Sequence, residues 1–139
     1  MNIGGVFFDK QFPFSDGTQA EKLFVVLGFD KGIVITAKTT SKNNGKGINY
    51  GCQPNDRFHN FHLVANCCYL KKPTWICLDE FYEFQQNKML AKHFSGIINP
   101  LFDLDPAITK ALLECSLLSD DITASQSAII SLSLSKLAI

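Results

Sequence analysis

Residues 22–41, KLFVVLGFDKGIVITAKTTS, decide the reading of this chain. Leu23 to Leu27 is an unbroken apolar run, the pattern of a strand buried on both faces. Ile33 to Ala37 is apolar and β-branched, a second strand. Between them, Gly28 and Gly32 bracket Phe29, Asp30 and Lys31, where the chain must turn back on itself. The stretch therefore predicts a β-hairpin. A turn centred near Asp30 or Lys31 sets Lys22 opposite Lys38 or Thr40. Side chains alternate along a strand, so Lys22, Lys38 and Thr40 share one face at the open end of the hairpin, beside the hydroxyls of Thr39 and Ser41. An ammonium group among hydroxyls at a strand end can hold a phosphate. A solvated strand end of ordinary lysines and threonines is the commoner reading of such residues.

Around the hairpin, the chain of 139 residues suits one domain with a real core. It is 46% hydrophobic and 19% charged, a globular composition, and its 12 phenylalanines against one tryptophan point to a Phe-rich core. The formal net charge of zero argues against a protein that coats polyanions through many phosphate contacts, while leaving room for a local basic site. No apolar run approaches the ~18 residues of a membrane span. The N-terminus lacks the basic-then-apolar pattern of a secretory signal. The five cysteines then read as reduced thiols of a cytoplasmic protein.

In chain order, Gly4 to Phe8 predicts a first strand. Residues 11–18 predict a loop whose Phe12 and Phe14 either plug the end of a barrel or form an exposed lip. Residues 42–56, rich in Gly and Asn, predict a mobile loop able to fold over the open end of the hairpin. There Lys42 and Lys46 add charge, and Tyr50 adds a surface on which a base can stack, a combination that suits single-stranded nucleic acid as well as any solvated loop. Phe58 to Ala65 and Trp75 to Leu78 predict strands, with His59 and His62 on opposite faces. Gln85 to Phe94 is weakly helical and stops at Gly96. Ile97 to Leu104 reads as a short apolar link. Asp105-Pro106 is a helix start, and Ile108, Leu112 and Cys115 form one apolar helix face. After Ser119 the tail is ambiguous: Thr123 and Gln126 form a capping-box pattern, while residues 130–134 alternate like a strand, and helix is preferred. Such an apolar tail also suits a contact with a second copy or a partner. The expected architecture is mainly β with α: a small SH3-like barrel with C-terminal helices, one domain over residues 1–118 and a helical tail over 119–139.

Other chemistry is weakly signalled. Cys52, His59, His62, Cys67 and Cys68 lack the paired spacing of a zinc site, so no metal or other cofactor is expected. Cys68 and Cys77 lie in apolar stretches, which quieten a thiol. Asp79, Glu80 and Glu83 follow a strand, where carboxylates commonly cap the next turn. No glycine-rich phosphate loop is present.

The order of elements resembles the MazF/PemK family of toxins from toxin–antitoxin systems. Four places carry the resemblance: Gly4-Gly5-Val6-Phe7 opening the first strand; Lys22 leading into an apolar strand; Ala37-Lys38-Thr39-Thr40-Ser41 closing the next; and Ile76 to Glu80 running through Leu90 to Gly96, with a closing helix at Asp105 to Leu118. It spans roughly residues 4–118. The resemblance implies an SH3-like barrel, a homodimer, an antitoxin partner and a metal-independent endoribonuclease that cuts single-stranded RNA by attack of the ribose 2′-hydroxyl on the adjacent phosphate. By position, Lys22 and Thr40 become the catalytic pair, with Lys38, Thr39, Ser41, Lys42, Lys46 and Tyr50 binding substrate. The family has Arg-Pro where this chain has Lys22-Leu23, and a lysine is a point charge without the two-pronged donor geometry of arginine. The alternative is therefore a PemK-like fold that binds nucleic acid or a protein partner without cutting.

Overall fold

A computed structural model describes residues 2–13 and 16–137. The chain runs β1 (Gly5–Pro13), β2 (Gln19–Asp30), β3 (Ile33–Thr40), β4 (Gly51–Gln53), β5 (Asn60–Leu63), β6 (Thr74–Cys77), β7 (Tyr82–Gln85), α1 (Gln86–Phe94), β8 (Ile98–Asp103), α2 (Pro106–Ser116) and α3 (Ala124–Ser135). The predicted hairpin is β2–β3. Its two-residue turn, Lys31-Gly32, has φ of 50° and 81°, the positive values that match the twist of hairpin strands. Pairing runs Asp30–Ile33, Phe29–Val34 and Gly28–Ile35, then shifts to Val26–Thr36, Val25–Ala37 and Phe24–Lys38. Leu27 is thus the extra residue of a bulge. Gly28, read from sequence as part of the turn, lies within the strand.

The hairpin occupies the middle of one antiparallel sheet in the order β4-β5-β6-β3-β2-β1-β8, with β7 also on β3. Val25, Leu27, Ile35 and Ala37 point to one face, where Leu112, Leu113 and Ile130 of α2 and α3 cover them. Phe24, Val26 and Val34 point to the other, with Phe7, Met89 and Ile98 and the rings of Phe12, Tyr82 and Phe84. The apolar run in β2 is unbroken because both its faces are covered.

The expected α+β class holds, but the sheet is not closed into a barrel: β4 and β8 end it on opposite sides. A barrel hides one face of each strand by curling. Here α2 and α3 cover one face, and α1 with the rings of Phe12, Tyr82 and Phe84 covers the other, so closure is not needed to bury either. The edges are guarded instead. β4 has three residues, and β8 carries Pro100 opposite Phe7.

Several expectations are corrected. β1 continues through residues expected to be loop, and the Phe12 ring packs 4.9 Å from Phe24 and 5.2 Å from Tyr82, neither plug nor lip. Phe14 lies outside the described residues. The apolar link after Gly96 is β8, whose pairing with β1 leaves no mark in its own residues. The cysteines are not all reduced: Cys52 of β4 and Cys115 of α2 form a disulfide, with Cα atoms 5.5 Å apart and 63 residues between them in sequence.

The helix signals are realised. Asp105 caps α2 by accepting from the Ile108 N–H at 2.9 Å, with Pro106 at the first helical position. Thr123 and Gln126 form the reciprocal capping box of α3. α3 is no appendage to a finished domain: its Ile130 is wholly buried in the core that α2 covers.

The expected mobile loop after β3 is strapped down at Gly47. Its N–H donates to Asp56 at 2.9 Å, and its carbonyl accepts from Gln53 and from the Trp75 indole, each at 2.9 Å. Gln53 also donates to the buried Asn60 side chain at 2.7 Å. A Cβ on Gly47 would meet Gln53 Oε1 at 2.1 Å, so Gly47→Ala expels that side chain and strands the Asn60 amide oxygen. The expected cost is about 1–3 kcal/mol, the usual penalty for a buried unsatisfied group. Urea unfolding checks it, and Gln53→Ala on the Gly47→Ala background should add little further.

Candidate anion-binding cleft

The site arises where the hairpin forks. The β2–β3 ladder ends at Phe24–Lys38. β2 carries on alongside β1, with Lys22 opposite Asp9, while β3 pairs with β6, Thr39 opposite Ile76 and Thr40 opposite Trp75. Two strands committed to different neighbours leave a gap between them. Two clefts open there, of about 500 and 220 Å³. Lys22, Thr39 and Thr40 line both.

Ser41 and Lys42 line the larger cleft, and Lys38 and Lys46 line the smaller. The sequence also nominated Tyr50, which is not with them: its ring packs edge-on against Phe61 at 5.8 Å. Tyr69, Lys71 and Lys72, in the connection between β5 and β6, were missed and line the larger cleft. Their signal was a basic pair beside an aromatic in a turn before Pro73. Tyr69 is 80% exposed, with its ring centre 5.2 Å from that of Phe102, and an exposed ring is a surface on which a base can stack.

Charge is unevenly spread. The larger cleft has Lys22, Lys42, Lys71 and Lys72 against Glu21, and the smaller has Lys22, Lys38 and Lys46 against Asp79. A chain of zero net charge thus concentrates cations at one place. Buried Cys77 senses it. Burial raises its thiol pKa and Asp79 adds to the rise, while Lys46, Lys38 and Lys22 pull it down.

Thr40 is pre-set as a donor. Its Oγ1 accepts from the Lys42 N–H at 3.1 Å, which leaves the hydroxyl hydrogen free to point at an anion. Lys38 is held back: its Nζ sits 3.9 Å from Glu80 Oε1 and 5.9 Å from the centre of the Tyr82 ring. The Tyr82 hydroxyl donates to Glu80. Burial, and then that bond, raises the Tyr82 pKa, so the phenol stays a neutral donor.

The His and Cys residues do not gather as one set. His62 stacks on Trp75 with ring centres 4.4 Å apart, on the sheet face opposite His59. The Cys67 thiol, beside Cys68, is pushed up to about 11, chiefly by burial. No helix among the described residues is long and apolar enough to cross a membrane. No protein-family model, curated protein or solved structure matches this chain.

Proposed function

We propose that this protein binds single-stranded RNA in the forked cleft and cuts it without a metal, as a toxin-like endoribonuclease. The observation that carries the reading is that Lys22 and Thr40, the pair implied by the MazF/PemK resemblance, line the same two clefts. In this reading the ribose 2′-hydroxyl attacks the neighbouring phosphorus. Its proton passes to a carboxylate of the cleft, Glu21 or Asp79. Thr40 donates its hydroxyl hydrogen to a non-bridging oxygen. The Lys22 ammonium holds the charge that grows on the phosphate and protonates the departing 5′-oxygen. The products are a 2′,3′-cyclic phosphate and a 5′-hydroxyl. An antitoxin and a second copy of the chain are the partners this reading adds.

A second reading, binding of nucleic acid or a protein partner without cleavage, is favoured by the lysine at position 22. A point charge grips a phosphate but does not match two of its oxygens at once, as arginine does.

The test is incubation of the chain with single-stranded RNA in EDTA, beside the Lys22→Ala, Thr40→Ala double variant. Cleavage by the natural chain, reduced at least about 100-fold in the variant, is expected from losing donors at the reacting phosphate. Equal cleavage by both, or none by either, removes the enzymatic claim. Binding without cleavage that weakens in the variant and with salt selects the second reading.

A further inference from the structure

We propose that Cys52, His59 and Cys115, once the disulfide is reduced, form a binding site for one Zn²⁺ ion. The site is separate from the RNA cleft and independent of the reading given to it.

The three residues come from β4, the segment just before β5, and α2, and their ligating atoms all lie within 4.8 Å of one another. His59 Nε2 is 3.4 Å from Cys115 Sγ. A tetrahedral zinc, with bonds of about 2.3 Å to sulfur and 2.0 Å to nitrogen, sets such ligands about 3.5 Å apart. The spacing is thus already that of two ligands on one ion. The backbone is also suitable, because Cα atoms 5.5 Å apart leave the two sulfurs free to part on reduction without moving β4 away from α2.

The ligand set is two thiolates and an imidazole, which zinc prefers over harder cations. In the oxidised form Nε2–H donates to the Cys115 carbonyl at 2.7 Å, so zinc must take the place of that hydrogen. Cys115 is 1% exposed and Cys52 is exposed, so the site has one dry side and one open side. The open side admits the ion and leaves a fourth position for water. Disulfide and zinc are then alternative ties between the same two elements. Either one holds β4, whose Gln53 holds Gly47 in place.

The balance is simple. A phosphine takes an oxygen from water and becomes its oxide, and the two sulfurs take the two hydrogens. The entering Zn²⁺ displaces two thiol protons.

The test uses the full chain, reduced with a water-soluble phosphine under nitrogen and titrated with Co²⁺ as a coloured stand-in for zinc. One Co²⁺ per chain is expected, with thiolate charge-transfer bands and the intense visible bands of a tetrahedral site, both abolished by added Zn²⁺. The oxidised chain should take up none. Cys52→Ser and His59→Ala should each weaken uptake at least about 100-fold, more than loss of a mere supporting group. Cys67→Ser with Cys68→Ser should leave it unchanged. His59→Ala keeps the disulfide, so thermal unfolding of its oxidised form checks that it folds. If it does not, Cys52→Ser and the comparison of reduced with oxidised chain decide. No uptake by the reduced chain, equal uptake by the oxidised one, or loss only when Cys67 and Cys68 are replaced overturns the proposal.

Discussion

Lys92→Ala is expected to destabilise the fold by about 3–5 kcal/mol, the typical cost of leaving one member of a buried ion pair alone. Asp9 on β1 has no solvent exposure, and Lys92, in the last turn of α1, pairs with it. The Gln11 N–H also donates to that carboxylate, at 3.0 Å. Taking the ammonium away strands a charge between β1 and α1. For a chain of this length the melting temperature should fall on the order of ten degrees or more. Urea unfolding measures the free energy. The double variant Asp9→Asn, Lys92→Met removes the charge with its partner and should recover most of the loss, since well-packed neutral pairs often match buried ionic ones. If Lys92→Ala is neutral, the ion pair does not hold the α1 corner.

Ile130→Ala should cost about 2–5 kcal/mol, with little change in the urea slope. Ile130 is fully buried among residues of β2, β3 and α2. α3 can come this close because β2 is bare at Gly28, where a Cβ would meet Ser133 Oγ at 2.5 Å and the Ile129 carbonyl oxygen at 3.3 Å. The void left by alanine cannot readily collapse, because the helix already rests on strand backbone. A change near zero would instead mean that α3 is a detachable tail, as its place in the sequence first suggested.

Much of this was legible in the residues, and the parts that were not have a common cause. The hairpin could be read because its apolar runs and its turn are adjacent, and alternation then puts Lys22, Lys38 and Thr40 on one face. The caps of α2 and α3 could be read because Asp105 with Ile108, and Thr123 with Gln126, lie three residues apart. β8 and the Cys52–Cys115 link could not, since each is defined by a partner far away in the chain, and β4 could not because its three residues are too few to show an alternation. The cleft was half visible. Lys22 and the residues from Lys38 to Lys42 belong to the hairpin, whereas Tyr69, Lys71 and Lys72 arrive from a connection whose position depends on β5 and β6. Tyr50 failed for the same reason: its neighbour is Phe61, on the covered side of the sheet.

Patterns that repeat over a few residues, whether alternation, helical spacing or a cap, carry their own physics, and from them follow the strands, the helices and the α+β class of this chain. Whether the sheet closes, which strand edge meets which, and where cations from separate segments converge depend on long-range burial. Two apolar faces needed covering, and α2 with α3 on one side and α1 with the rings of Phe12, Tyr82 and Phe84 on the other did so while leaving the sheet open. That choice also parted β2 from β3 at Lys38 and made the cleft, an outcome of packing that no short stretch of residues encodes.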